Sequence, residues 1–290
     1  TRLVLVGDAD QLPSVGPGQV LADLLRSQTV PSVRLRTIFR QEEASGIVRA
    51  AHEVLAGRWP RSGRSAEDDF FFVRREDPEE AARTVIELVA RRIPSRFGLS
   101  ARRDVQVLTP MHRGACGATT LNAALQEALN PAGRGSPELT RGARIYRVGD
   151  RVMQVRNDYD REVFNGDLGL VTAVDTAEGR VTVTVDGRPL IYPRGDLDAI
   201  APAYAVSIHK SQGSEYPAVV IPVCGEHWVM LRRNLLYTGI TRGARFVALV
   251  GSNRALGRAI GNADELKRRT GMKGYLTSEM RALSRLKPDA

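Results

Sequence analysis

The chain has 290 residues, of which 42% are hydrophobic and 26% are charged, and its formal net charge is +9. This length can bury a full core and predicts about two domains. No stretch reaches the ~18 apolar residues that a membrane-spanning helix needs, so we expect no membrane contact. Cys116 and Cys224 lie far apart, without the neighbouring Cys or His of a metal site, which argues against a disulfide framework and predicts reduced cysteines in a cytoplasmic protein.

The positive charge is carried almost wholly by arginine, because lysine occurs only at positions 210, 267, 273 and 287. A guanidinium group can clamp phosphates and stack on bases, which suits a polyanionic partner such as a nucleic acid. The same composition can follow from genome base bias, so charge alone leaves both explanations open.

The first element is an apolar run over residues 3–6 that stops at Gly7 and Asp8. This pattern predicts a buried parallel strand that delivers a loop to the carboxyl edge of a sheet, where ligands bind in open α/β folds. Asp10, Gln11 and Ser14 would face that edge. An amphipathic helix is predicted over residues 19–26.

The next part of the chain alternates strand-like runs with helical periodicity, and this alternation predicts an α/β fold with a parallel sheet. One strand leads into the glycine-flanked loop of residues 109–117. The predicted strands are 33–36, 70–73 and 104–108, and the predicted helices are 45–56, 78–93 and 119–129.

The pattern changes between residues 145 and 200, where Val/Thr-rich runs are joined by Asn-Gly and Asp-Gly turns. Such turns specify β-hairpins, so we predict a small antiparallel barrel inserted into the larger domain. Buried strands of the larger sheet are predicted to resume at 218–223 and 246–251. The tail is predicted to be helical and basic.

Three groups of residues suit phosphate chemistry. Gln11 can orient water or sense a γ-phosphate, although a loop glutamine that caps a helix is the plainer explanation of this residue taken alone. Arg40, Arg242 and Arg113 are candidate arginine fingers, and Arg242 is predicted to point outward from an apolar helix; ordinary surface arginines are the plainer explanation. The third group is the polar run over residues 207–215, which contains one of the four lysines; a solvated loop is its plainer explanation.

Five motifs in fixed order resemble those of a superfamily 1 DNA helicase, most closely the free-standing RecD-like type. They are Gly-Asp-x-x-Gln-Leu-Pro-Ser-Val-Gly at 7–16, Phe-Arg-Gln at 39–41, Thr-Pro-Met-His-Arg-Gly at 109–114, His-Lys-Ser-Gln-Gly-Ser-Glu at 209–215 and Tyr-Thr-Gly-Ile-Thr-Arg at 237–242. The resemblance runs from residue 1 to about residue 251. The β-rich insert resembles the SH3-like barrel that such helicases carry before the His-Lys-Ser-Gln-Gly motif.

The resemblance implies an ATP-dependent 5′ to 3′ DNA helicase in which two RecA-like domains close on ATP. It implies that Gln11, Arg40 and Arg242 have catalytic roles at the γ-phosphate, and that Gly213 and Glu215 border the nucleotide. It also implies contacts with single-stranded DNA by a larger set, namely Ser14, Met111, His112, Arg113, His209, Lys210 and Ser211.

The family's P-loop and its paired magnesium-binding acids have no counterpart in these 290 residues. Asp8 ends an apolar run as a magnesium ligand would, but Ala9 follows it where the family has Glu, which favours a place in the sensor loop. We therefore expect the ligands of ATP and Mg²⁺ to lie upstream of Thr1, no metal site within the chain, and no ATP hydrolysis by the chain alone. The expected partners are single-stranded DNA, duplex junctions and missing N-terminal helicase domains, and the protein is expected to be monomeric.

The resemblance also implies a domain plan. Residues 1–32 would end the first RecA-like domain, 33–144 and 201–255 would form the second, 145–200 the SH3-like barrel and 256–290 a basic tail. Two alternatives stay open: the helicase part of a conjugative relaxase, which shares the Gln and Gly-Ser-Glu motifs, and a non-catalytic nucleic-acid-binding module.

Overall fold

The computed structural model describes residues 3–13, 16, 18–35, 45–65, 67–263 and 270–285. The helices in these ranges are α1 Val20–Ser27, α2 Gly46–Leu55, α3 Pro78–Glu87, α4 Ile93–Phe97, α5 Ala118–Leu129, α6 Arg233–Ile240, α7 Asn253–Gly261 and α8 Met272–Arg285. The strands are β1 Phe70–Arg74, β2 Val105–Thr109, β3 Glu138–Arg141, β4 Arg144–Arg147, β5 Arg151–Gln154, β6 Leu168–Asp175, β7 Arg180–Val185, β8 Arg188–Pro193, β9 Ile200–Pro202, β10 Ala205–Ser207, β11 Tyr216–Val223 and β12 Gly243–Gly251.

A five-stranded parallel sheet in the order β1-β12-β11-β2-β10 forms the centre of the molecule. Its middle strands are apolar on both sides: Val219, Val220 and Ile221 of β11 are fully buried. Helices α2, α6 and α7 pack on one face, and α3 and α5 pack on the other. This arrangement confirms the predicted α/β class, because a sheet covered on both faces needs strands without a polar side.

Side-chain caps place the helix starts near the predicted residues. Ser45 accepts a hydrogen bond from the Val48 amide at the start of α2, and Asp77 accepts one from Glu80 at the start of α3. Each cap satisfies an amide that has no partner within the helix. The helix predicted to end at residue 93 continues through the π-helical segment Leu88–Arg92 into α4, which ends at Gly98 in a left-handed conformation.

The insert is an antiparallel sheet in the order β8-β7-β6-β5-β9, accompanied by the hairpin of β3 and β4. Tyr146 and Tyr192 are fully buried inside it, among valines of β6 and β7. We call the part from β3 to β9 the β module. Its last strand, β9, is followed after two residues by β10 of the parallel sheet.

The β module joins the core through a buried carboxylate. Asp150 is 1% exposed and accepts hydrogen bonds from the side chains of Gln126 (2.5 Å), Asn130 (2.7 Å) and Tyr204 (2.9 Å), and from the Arg147 amide (2.7 Å). A buried carboxylate is tolerated only when its oxygens are satisfied in this way. The junction therefore depends on buried hydrogen bonds that water does not reach.

Two predicted strands are absent from the described residues. Residues 3–6 form no strand, and their side chains are 52–93% exposed. Residues 33–35 are likewise exposed and irregular, while residue 36 lies outside the described part of the chain. An apolar run becomes a strand only where neighbouring strands accept its backbone hydrogen bonds, and neither run pairs with an edge of the sheet.

Candidate functional site

Loops from neighbouring strands gather at one edge of the parallel sheet. Because β2, β10 and β11 run parallel, the segments that follow them, residues 110–117, 208–215 and 224–232, leave the sheet at the same carboxyl edge. We call these three segments the edge loops. Ligands bind at this edge in open α/β folds, so the candidate residues are placed where such chemistry occurs.

Gln11 lies beside the core in a short polar network. Its side-chain amide donates to Asp8 Oδ2 at 3.1 Å, and the same oxygen accepts a hydrogen bond from the Tyr237 hydroxyl of α6 at 2.9 Å. Burial raises the pKa of Tyr237, and the nearby Asp8 carboxylate raises it further. The phenol therefore stays protonated and acts as a hydrogen-bond donor to Asp8.

The backbone around Gln11 is held by two further residues of the core. The Leu12 amide donates to Thr238 Oγ1 at 2.8 Å, and the Gln212 side chain donates to the Leu12 carbonyl at 2.8 Å. Thr238 belongs to α6, whereas Gln212 belongs to the edge loop after β10. We call residues 7–13 the Gln11 segment; it contacts both α6 and an edge loop.

Arg242 does not point outward as predicted. It is 9% exposed, and its guanidinium donates to the carbonyls of Thr238 (3.2 Å) and Ser214 (3.1 Å). The residue follows the end of α6, where the chain turns into β12, and this turn directs the side chain back to the helix carbonyls. A guanidinium in this place is oriented by the turn that contains Gly213.

That turn is tight. Gly213 has a φ of +81°, a conformation that favours glycine, and Ser214 donates its amide to the Ser211 carbonyl at 3.0 Å. Glu215 is exposed beside it. Arg242 bonds both this turn and Thr238, the neighbour of Tyr237, so the turn lies beside the Gln11 network. The positive charge of Arg242 lowers the pKa of Tyr237, against the larger effects of burial and Asp8.

A cleft of about 720 Å³ opens between the Gln11 segment, α1 and the start of α6. Its lining includes Asp8, Gln11, His209, Arg232 and Asn234. The cleft thus combines apolar walls with amide, carboxylate and cationic groups, the composition expected of a ligand site.

Of the predicted DNA contacts on the edge loop after β2, His112 and Arg113 are exposed and Met111 is half-buried. The loop is shaped by Glu226, whose carboxylate accepts hydrogen bonds from the amides of Ala115 (3.1 Å) and Cys116 (2.8 Å). It also requires Gly114, because that residue has a φ of +97° and an added Cβ would lie 2.6 Å from the Glu226 carboxylate.

The loop after β10 places His209 and Lys210 near other positive groups. Desolvation by the surrounding protein lowers the pKa of His209, and Arg232 and His112 lower it further. Desolvation also lowers the pKa of Lys210, with a contribution from Arg144 of the β module. His209 and Arg232 also line the same cleft, and we call His112, His209 and Arg232 the basic surface.

Ser211 differs from its neighbours. Its side chain is 0% exposed, and its hydroxyl donates to the Ile208 carbonyl at 2.8 Å. In this conformation it shapes the turn and offers no group to a ligand. Ser14 and Arg40 lie outside the described residues, so their predicted roles stay predictions.

Several residues of the site were not anticipated as such. Tyr237, Gln212 and Glu226 hold the Gln11 segment and the edge loops in place. Tyr237 and Gln212 lie inside recognised motifs, and this position was the only sign in the sequence that they belong to the site. Glu226 lies in no recognised motif, and only folding brings it next to Cys116, 110 positions earlier.

The described residues hold no cluster of three His, Cys, Asp or Glu side chains suited to a metal ion, and none of their helices is long and apolar enough to cross a membrane.

Comparison with known proteins agrees with this architecture. The family model described as "ATP-dependent RecD-like DNA helicase SH3 domain" matches residues 121–185, and the "UvrD-like helicase C-terminal domain" model matches 202–250. An "AAA domain" model matches residues 1–71. The chain belongs to the RecD-like helicases. The SH3 match begins within α5, upstream of the first strand of the β module.

The relatives of this RecD-like chain are longer than it is. It is 38% identical to the ATP-dependent RecD2 DNA helicase of Deinococcus radiodurans, over 83% of this chain and 31% of that protein. It is 34% identical to the RecBCD enzyme subunit RecD of Mycobacterium tuberculosis, over 89% of this chain and 46% of that protein. The chain thus spans less than half the length of these curated relatives.

A solved structure shares the fold of this RecD-like chain. The Pif1 helicase from Bacteroides, crystallised with ADP-AlF3 and single-stranded DNA, superposes with a TM-score of 0.51 at 18% identity. The match covers 97% of this chain and 66% of that one. At this identity the likeness supports the helicase fold alone.

Proposed function

We propose that this chain supplies DNA contacts and the arginine side of the nucleotide site in a 5′ to 3′ ATP-dependent DNA helicase. The observation that carries the proposal is the gathering of the Gln11 segment, the Arg242 turn and the edge loops at one edge of the sheet. The RecD2 relative is described as an ATP-dependent DNA helicase, and the Pif1 neighbour was solved with a nucleotide analogue and single-stranded DNA.

In the proposed mechanism Gln11 senses the γ-phosphate of ATP held by P-loop residues that are not among these 290. Arg242 exchanges its hydrogen bonds to Thr238 and Ser214 for contacts with the same phosphate. This movement frees the guanidinium from the carbonyls, and its charge then stabilises the charge that develops on a transferring phosphoryl group. Arg40, Gly213 and Glu215 complete this side of the proposed nucleotide site.

Coupling between nucleotide and DNA would run through Gln212. Its side chain holds the Leu12 carbonyl of the Gln11 segment, and its backbone continues the loop that carries His209 and Lys210. A shift of the Gln11 segment on ATP hydrolysis would therefore move a DNA-contacting loop. Repeated cycles of this movement would step the helicase along one strand.

The remaining parts of the proposal follow the family. Residues 1–32 end the first RecA-like domain, 33–144 and 201–255 form the second, 145–200 form the SH3-like barrel and 256–290 the tail. The protein acts as a cytoplasmic monomer on single strands and duplex junctions, and the chain alone does not hydrolyse ATP. The RecD-like SH3 match favours this proposal over a conjugative relaxase.

The DNA part can be tested with this chain. We expect Arg113→Ala to weaken binding of a single-stranded oligonucleotide several-fold and to lower the salt dependence by about one counterion. Arg91→Ala is the matched control, because Arg91 is exposed on the segment between α3 and α4 and not on an edge loop. Equal affinities of the two variants would contradict the proposed contact between DNA and the edge loop that carries Arg113.

The nucleotide part is tested in the complete helicase. Arg242→Ala should reduce DNA-stimulated ATP hydrolysis by at least about 10³-fold while DNA binding changes little, since the loss falls on phosphoryl transfer. Undiminished turnover would reject the role of Arg242. DNA binding by a complete protein that never hydrolyses ATP would instead favour a non-catalytic binding module.

A further inference from the structure

The chain has only two tryptophans, and both pack against the same helix, α7. Trp228 is 39% exposed, and the guanidinium carbons of Arg254 and Arg258 lie 5.2 and 5.1 Å from its ring centroid. Trp59 is 50% exposed and packs against Gly257. A Cβ added to Gly257 would lie 3.3 Å from the Trp59 ring. The indole of Trp228 is therefore in cation–π contact with two arginines, whereas Trp59 packs against a glycine.

The two arginines are available to a ligand. Both are exposed and one helical turn apart on α7, and both guanidinium groups lie over the Trp228 ring. Val229, next to Trp228, is 74% exposed. We call Trp228, Val229, Arg254 and Arg258 the Trp228 surface. It combines an aromatic face, an apolar neighbour and two cations.

The Trp228 surface continues the edge loops. Glu226 lies two residues before Trp228. Its carboxylate accepts hydrogen bonds from the backbone amides of Ala115 and Cys116, in the loop of Arg113. On the other side, Arg232 lies close enough to His209 to lower the pKa of that histidine. Trp228 and Arg232 belong to the same edge loop, four residues apart, which connects the Trp228 surface to the basic surface of His112, His209 and Arg232.

We propose that the Trp228 surface is an additional binding site for single-stranded nucleic acid, on which one base stacks while the arginines contact phosphate. Indole and guanidinium planes both stack on bases without sequence preference, and this stacking is a main source of affinity for single strands. The net charge of +9 and the continuity with the edge loops favour a polyanion over a protein partner. This inference rests on the proposed function, which places DNA at the edge loops.

The two tryptophans provide the experiment. The chain is titrated with a single-stranded oligothymidylate of about twelve nucleotides while tryptophan emission is recorded. In Trp59→Phe the remaining emission comes from Trp228, and we expect it to be quenched at saturation as a base stacks on the indole. In Trp228→Phe the emission of Trp59 should change little. Unquenched emission of Trp228 at saturation would overturn the proposal.

Affinity supplies the second readout. We expect Trp228→Ala to weaken binding about ten-fold, in line with the loss of one stacked base, and Trp59→Ala to leave it unchanged. If Trp228→Ala unfolds the chain, the emission of Trp228 in the Trp59→Phe protein still decides the question. Equal affinities of the two folded alanine variants would overturn the proposal.

Arg113→Ala separates this inference from the function on which it rests. Weaker binding by Arg113→Ala together with no effect of Trp228→Ala rejects the Trp228 surface alone. No binding of the oligonucleotide by the unaltered chain rejects both.

Discussion

Two regions attach to the same parallel-sheet core in opposite ways. The β module is anchored by Asp150, a 1% exposed carboxylate that accepts four hydrogen bonds. The Gln11 segment is attached by three hydrogen bonds, from Tyr237 to the exposed Asp8, from Leu12 to Thr238 and from Gln212 to Leu12, of which the last two are partly buried. Water reaches the Tyr237–Asp8 bond but not Asp150, so we expect the Gln11 segment to exchange partners more readily than the β module.

This difference suits the proposed function. A sensor that reports on ATP must change its contacts in each cycle, and contacts that cost little to break allow this. A module that positions DNA needs a constant orientation relative to the edge loops. The difference between the two attachments can be measured.

The largest effect is expected at Asp150. Asp150→Ala leaves four donors without their acceptor at a site closed to water, and we expect the free energy of unfolding to fall by about 4 kcal/mol. Urea denaturation measures this. Asp160→Ala, on an exposed turn of the same module, should change stability by less than about 0.5 kcal/mol. A loss at Asp150 no greater than at Asp160 would remove the contrast between the attachments.

A buried histidine extends the comparison to pH. His227 is 0% exposed, and burial lowers its pKa below the ordinary value of 6.5. Below about pH 6.5 the unfolded chain therefore binds a proton at His227 that the folded chain does not bind. The free energy of unfolding then falls with decreasing pH, by at most about 1.4 kcal/mol per pH unit. His227→Leu should flatten this slope between pH 7 and 5. His52→Leu, at an exposed position, is the control; identical slopes in both would disprove the assignment.

The smallest effect on stability is expected at Tyr237. Tyr237→Phe removes the hydroxyl that reaches the exposed Asp8, and we expect a loss of about 0.5 kcal/mol or less in global stability. Hydrogen exchange of the Leu12 amide should nevertheless become faster, because the Gln11 segment loses one of its contacts with the core. Tyr275→Phe, at a 68% exposed position, should change neither quantity. A large global loss at Tyr237 would mean that the Gln11 segment is as firmly attached as the β module.

Much of the fold could be predicted from local pattern. The runs that became β11 and β12 are apolar at every position, as strands buried on both faces require. Asn-Gly and Asp-Gly turns marked the β module. The same reasoning was wrong for residues 3–6, where an equally apolar run stays exposed because no strand of the sheet pairs with it.

The candidate site was predicted less completely. Motif order indicated Gln11, His209 and Arg242 as functional residues, but the direction of a side chain depends on the carbonyls around it, and Arg242 turns inward. The cysteines show the same limit. Their sulfur atoms lie 3.3 Å apart in the core although 108 positions separate them, and both are free thiols.

The sequence by itself determined the α/β class, the inserted β module and the order of the helicase motifs, because hydrophobic periodicity, turn chemistry and motif spacing are local properties of the chain. Only the tertiary structure decided that Gln212 holds the Gln11 segment, that Glu226 shapes the loop of Arg113 and that Arg254 and Arg258 lie over the Trp228 ring. These contacts join segments far apart in sequence, and such contacts form only when the sheet brings its strand ends to one edge.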